Sequence, residues 1–275
     1  MTILSLVKGT ARELSAKATL YVLAGISTLI ILGVAFSISS TTSPEGRSIV
    51  LFGNPTPAAA ESVLAEFAGK LEAGFAGGLF FGVVVFGVFA TAGVMPDALE
   101  KGTVDLYLSK PIARWQLLVG KYLGCVVVIF INIAYFIGAL WLIFGLKIGI
   151  WDVHFLLGGL LLSFVFACLH AIVTFFGTAT RNVAIAIIAG ALYLMVIAGL
   201  LQNREHTFYL ISDNSIYRGI LDGLYYLFPQ IPAMQDGALH IIAGEPAAWT
   251  PFLQSFLSSS ALIVGAGFVL QKKDF

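Results

Sequence analysis

The stretch FLLGGLLLSFVFACLHAIVTFFGTAT-RN-VAIAIIAGALYLMVIAGLL, Phe155 to Leu201, holds two apolar runs parted only by Arg181 and Asn182. A helix needs about 20 predominantly apolar residues to cross the hydrocarbon of a bilayer, and each run is near that length. Inside lipid the backbone must satisfy its own hydrogen bonds, which a helix does. The two runs therefore read as an antiparallel pair of membrane helices that turns at one face on its two polar residues.

Outward from this pair, the rest of the chain has the same character. Of its 275 residues 59% are hydrophobic and 11% charged, with a mean hydropathy of +0.95, whereas soluble domains carry roughly 25% charged residues. Uncharged windows of spanning length run from about 20 to 40, 73 to 95, 122 to 146, 155 to 180, 183 to 201 and 252 to 270. The expected fold is an all-α integral membrane protein of six transmembrane helices, one domain over residues 1–275.

Lysine and arginine in short loops set orientation. Segments 1–19, 96–121, 181–182 and 271–275 hold Lys8, Arg12, Lys17, Lys101, Lys110, Arg114, Lys121, Arg181, Lys272 and Lys273, against Arg47, Lys70, Lys147, Arg204 and Arg218 on the other side. Both termini are accordingly expected in the cytoplasm. Within 1–19, Ile3, Val7, Leu14 and Ala18 recur at near-helical spacing with Lys8, Arg12 and Lys17 between them. That pattern predicts an amphipathic helix on the inner leaflet, its cations beside anionic lipid headgroups. The run that follows is too long for the core of a cleaved signal.

On the outer side, 41–72 opens with the turn formers Pro44, Gly46, Gly53, Pro55 and Pro57, reads as ordinary loop, and ends in a short helix, AAAESVLAEFAGKLEA. In the longer outer segment, 202–251, Ile216, Ile220, Leu221, Leu224 and Leu227 have helical spacing and Tyr217, Tyr225, Tyr226 and Phe228 accompany them, before Pro229 and Pro232 break the run. Such a helix suits the outer interface, where aromatic rings settle at headgroup level.

Chemistry-bearing residues are sparse. Cys125 and Cys168 lie within apolar windows, far from any Cys-His cluster, and read as packing residues. Asp236 and His240 stand four apart, with His154 and His206 elsewhere, which is too scattered for a metal site. No Ser-His-Asp arrangement and no H-E-x-x-H occurs, so no catalytic residue is expected. A net charge of zero gives no reason to expect nucleic acid. A secondary transporter or channel, the alternative reading, calls for ionisable residues within the spans or an internal repeat; the windows offer only His170, with Asn132 and Gln254 as polar company. Gly74, Gly78 and Gly82, four apart, form a small-residue face suited to close helix packing, within the chain or against a second copy.

Charge is concentrated between the second and third windows, in PDALEKGTVDLYLSKPIARWQLLVGKYLG, Pro96 to Gly124, which carries Asp97, Glu100, Lys101, Asp105, Lys110, Arg114 and Lys121. A turn this short needs no such charge. Its pattern predicts a helix over Asp97–Leu108 interrupted at Gly102, then a second helix capped by Ser109 with Pro111 in its first turn. The phosphate-binding pattern G-x-x-x-x-G-K-S/T is absent, for Gly120-Lys121 is followed by Tyr122.

This stretch resembles the type-2 ATP-binding-cassette (ABC) permeases, in particular their six-span bacterial branch. Glu100, Gly102, Thr103, Leu106, Leu108, Lys110, Pro111, Arg114, Gly120 and Lys121 match the family's pattern over about 25 residues; Lys101 departs from it, standing where many members have an acidic or polar residue. The resemblance implies that residues 96–108 form a coupling helix docked on a separate ATPase subunit, with Asp97, Glu100, Gly102, Thr103, Asp105, Lys110, Pro111 and Arg114 carrying the contact. It also implies two copies of that ATPase holding ATP and magnesium, with no cofactor on this chain. A second permease copy as homodimer, membrane lipid around the spans, an accessory outer-face protein, export as the direction, and a prokaryotic inner membrane complete the expectation.

Overall fold

The computed structural model describes residues 3–43, 46–55, 61–103, 112–211 and 214–273. Helix α1, Ile3–Ser15, leads into α2, Ala18–Ser37. A three-stranded antiparallel sheet follows, in the order β1 (Ile38–Ser43), β2 (Gly46–Leu51) and β3 (Asn54–Pro55). Next come α3 (Glu61–Thr91), the short α4 (Val94–Ala98), α5 (Arg114–Lys147) and α6 (Val153–Thr180). Helix α7, Val183–Gln202, contains a π-helical turn at Tyr193–Ile197. The short α8 (Arg204–Thr207), then α9 (Ser215–Leu227), α10 (Ile231–Ile242) and α11 (Thr250–Lys272) complete the order.

Helices α2, α5, α6, α7 and α11 are long and apolar enough to cross a membrane, and they fall on five of the six expected windows. The remaining window, 73–95, falls on α3, which ends at Thr91. Two expectations for the outer segment 41–72 need correction. Its first part is sheet rather than loop, with Ile38 paired to Leu51 and Ser43 to Gly46; the Ile, Thr and Val content of both strands suits an extended ribbon. Its last part is no separate helix but the beginning of α3, because no proline interrupts the chain between Glu61 and Thr91.

Of the five long helices α6 is the most enclosed, and glycines let its neighbours approach. A Cβ at Gly158 would stand 2.2 Å from Ile242 of α10, and one at Gly159 2.9 Å from Ile137 of α5. Phe136, Phe144, Phe155 and Phe166 fill the core between α5 and α6. His170 lies here too, its ring stacked between Tyr122 and Phe166 at 5.7 Å from each and its Nδ1 3.3 Å from the Thr91 hydroxyl. It is a packed, hydrogen-bonded core residue. Cys125 and Cys168 are buried and free.

The end of the bundle opposite Arg114 and Arg181 is tied by polar contacts. Arg204 donates through Nε to Asp222 at 2.7 Å and lies over the Tyr225 ring, while Tyr209 donates its hydroxyl to the same carboxylate at 2.7 Å. The Tyr209 and Arg204 hydrogen bonds hold the Asp222 carboxyl below its ordinary range. His154 pairs with Asp152 and His240 with Glu245, so Asp236 and His240 do not meet; Asp236 instead faces Gln202 at 3.4 Å.

Candidate functional site

The charged stretch from Pro96 lies at the cation-rich end of the bundle. Helix α4 ends at Ala98, and Leu99 donates its N–H to the Pro96 carbonyl at 2.9 Å in a tight closing turn. The chain turns at Gly102, whose φ of +93° is a left-handed conformation that favours glycine. The helix expected over Asp97–Leu108 thus stops before Gly102 and is helical again at Thr103. Asp105, Lys110 and Pro111, with Ser109, lie outside the described residues. The next helix starts later than predicted: α5 begins at Arg114, with Ala113 in an extended conformation as its N-cap and its N–H donating to Gln116 Oε1 at 3.1 Å.

Around this turn four other helix ends are locked together. Asp97 accepts from Lys17, between α1 and α2, at 3.2 Å. Pro96 packs at Gly177 near the end of α6, where a Cβ would lie 3.2 Å from the proline Cδ. Arg114 donates through Nη1 to the carbonyls of Leu270, Gln271 and Lys273 at 3.0, 3.1 and 2.7 Å, which satisfies carbonyls that the end of α11 leaves open. Lys273 Nζ in turn donates to the Thr178 and Ala179 carbonyls, at 2.8 and 2.6 Å. The turn from α6 into α7 is fixed by Arg181 in a left-handed conformation and by Asn182, whose side chain accepts from Ala184 N and Ile185 N.

Helix α1 is fastened lengthwise along the first third of α5. The Leu6 side chain occupies the space a Cβ would fill at Gly120, and Thr10 does the same at Gly124, each at 2.5 Å. Beside them Lys121 Nζ donates to Glu13 Oε2 at 2.5 Å, with the lysine 4% and the glutamate 33% exposed. The buried face of α1 is Leu6, Thr10 and Leu14, shifted from the Ile3, Val7, Leu14 and Ala18 stripe, because contact with the α5 glycines decides which face turns inward. Glu13→Gln is expected to destabilise the protein by about 2–3 kcal/mol, below the roughly 3–5 of a fully buried pair since Glu13 still meets solvent. Thermal denaturation in detergent should show that loss, with most of it recovered by adding Lys121→Met; no recovery would mean that the ion pair does not hold this joint.

Of the residues named from the sequence, Asp97, Gly102, Thr103 and Arg114 gather at this end, while Glu100 and Lys101 are exposed on the turn beside them. They divide into two kinds. Asp97 and Arg114 are occupied within the chain, and Glu100 and Gly102 are exposed. Gly74, Gly78 and Gly82 do not mediate packing among the described residues, for a Cβ at each would meet nothing within 4 Å. Glu13, paired with Lys121, was not singled out, and a buried acid was also missed: Glu72, among the acids of the outer segment, is 1% exposed, and neither carboxylate oxygen has a hydrogen-bond partner among the described residues. Nothing in its sequence neighbourhood signals burial, since the surrounding AEFAGKLEA reads as a solvated helix.

Five helices long and apolar enough to cross a membrane are the mark of a multi-pass membrane protein. The chain belongs to the ABC-2 family of transporter proteins, whose family profile matches residues 13–275. Among curated proteins none matches it. Membership makes it a membrane permease of an ABC transporter, a transport subunit associated with an ABC ATPase.

Proposed function

We propose that this chain is the six-span permease of an ATP-driven exporter, with α3 as the sixth membrane helix and the 96–121 segment as the handle on which a separate ATPase pulls. The reading rests on one observation above others: the turn at Glu100–Gly102 is exposed, while the described helix ends around it are tied to one another. Force applied at that turn passes through Asp97–Lys17 to α1 and α2, through Pro96–Gly177 to α6, and through Arg114 to α11. A docked turn in such a frame moves the helices as rigid bodies.

In this reading the cation-rich end faces the cytoplasm of a prokaryote, with both termini inside the plasma membrane. Two permease copies pair, and two ATPase subunits bring ATP and magnesium. The open small-residue face at Gly74, Gly78 and Gly82 is compatible with contact between copies. The ATP-independent alternative finds little support, since His170 is stacked and hydrogen-bonded in the core rather than placed along a polar path.

The experiment is reconstitution of the permease in liposomes with and without its partner ABC ATPase. Cargo should move only with the ATPase and ATP present. Movement at full rate by the permease alone would overturn the proposal.

A further inference from the structure

Where α1 ends and α2 begins, the two helices diverge along α5 and leave an open crevice of about 480 Å³, within the roughly 300–1,000 Å³ of ligand sites. Ala11, Arg12 and Ser15 of α1 line it on one side, and Ala24 of α2 with Asn132 and Tyr135 of α5 on the others. The deeper polar groups are engaged between helices: Asn132 Oδ1 accepts from Ser27 at 3.4 Å, and the Tyr135 hydroxyl lies 3.1 Å from that of Thr28. The rest of the lining is aliphatic.

The neighbouring cations are not equivalent. Lys17 is paired with Asp97 and Lys121 with Glu13, which uses the acids at hand. Arg12 and Lys8, one turn apart on the outward side of α1, are exposed and have no acidic partner among the described residues. Uncompensated positive charge thus borders an apolar crevice on the lateral face of a membrane protein, and the occupant that matches both features carries a phosphate and a hydrocarbon chain.

We propose that this crevice binds one anionic glycerophospholipid, its phosphate on Arg12 and Lys8 and one acyl chain running toward Tyr135. A second copy of the chain is a poorer occupant, because a two-fold interface presents the same patch on both sides and would set the two Arg12 side chains toward each other. The proposal rests on the membrane reading but not on ATPase coupling, and its test needs no ATPase.

The test uses the full chain purified from discs of phosphatidylcholine doped with phosphatidylglycerol, with bound lipid counted by native mass spectrometry. Wild type should retain one phosphatidylglycerol per chain. Lys8→Ala and Arg12→Ala should each weaken retention about fivefold, the effect of one cation near anionic lipid, and Arg12→Lys should preserve most of it. Ala24→Trp, which fills the crevice without altering charge, should lower retention as well. Retention equal to wild type in either Arg12→Ala or Ala24→Trp would overturn the site, as would displacement by soluble glycerol phosphate, which lacks the acyl chain. Cross-linking of two copies through Ala24→Cys with phosphatidylglycerol bound at neither would assign the crevice to the second copy and overturn it too. Should Ala24→Trp fail to insert, emission from Tyr135→Trp decides: brominated phosphatidylglycerol should quench it more than brominated phosphatidylcholine, and equal quenching contradicts the proposal.

Discussion

Deleting Gly102 and Thr103, or replacing Glu100 with arginine, is expected to abolish ATP-driven transport while leaving the protein inserted and stable. The separation of the two effects follows from the geometry. Glu100 and Gly102 are exposed, and a Cβ at Gly102 would touch nothing within 4 Å among the described residues. Substitutions at such sites usually change stability by less than about 0.5 kcal/mol, so the frame of Asp97, Arg114 and Lys121 should survive Glu100→Arg. A reversed charge at a docking surface, by contrast, costs several kcal/mol through like-charge contact, enough to leave most permease without its ATPase. Gly102→Val is a milder companion, since φ of +93° is strained for a branched residue. Transport assayed beside thermal unfolding in detergent distinguishes the cases: normal transport in both the deletion and Glu100→Arg would remove the turn from the coupling path.

The second large effect is expected from Gly124→Ile. A Cβ at that position would lie 2.5 Å from the Cβ of Thr10 and 2.7 Å from its Cγ2, neither of which is the far end of a flexible side chain. Helix α1 must then move away from α5, and with it goes the alignment of Glu13 on Lys121. Overpacking alone costs about 1–3 kcal/mol, and the buried Lys121 ammonium left without its carboxylate adds to it. The expected outcome is a chain whose spans still insert but whose α1 becomes protease-sensitive, with transport reduced at least tenfold. Gly138→Ile on the same helix is the control, because nothing among the described residues lies within 4 Å of a Cβ there. An α1 as protected in Gly124→Ile as in wild type would contradict the proposed joint.

The spans were legible because hydropathy is a local property. Arg181 and Asn182 announced the turn between α6 and α7, and the structure uses both there, one left-handed and one as an N-cap. What sequence could not show was long-range partnership. Lys121 reads as a loop cation until Glu13, far away in the chain, is placed beside it. Arg114 matches a family pattern, yet its contacts are the last carbonyls of α11, which no local pattern encodes. Glycines misled in a similar way: the regular triplet at Gly74, Gly78 and Gly82 meets no neighbour among the described residues, whereas Gly120 and Gly124, also four apart, carry the tightest joint at this end. Spacing shows that a helix face is flat and leaves open what lies on it. The β1–β2 ribbon was hidden because Gly46 and Gly53 are turn formers, which serve a hairpin as well as a loop.

Cysteine placed at Thr103 offers the most direct test of whether the 96–121 segment is a cytoplasmic handle held by a nucleotide-driven partner. The two native cysteines are buried and should stay silent. The account predicts that Thr103→Cys cross-links to the ATPase subunit, resists an impermeant maleimide added from outside intact cells, and reacts once the membrane is opened. Labelling of Thr103→Cys from the outside would place the turn on the wrong face and contradict the account.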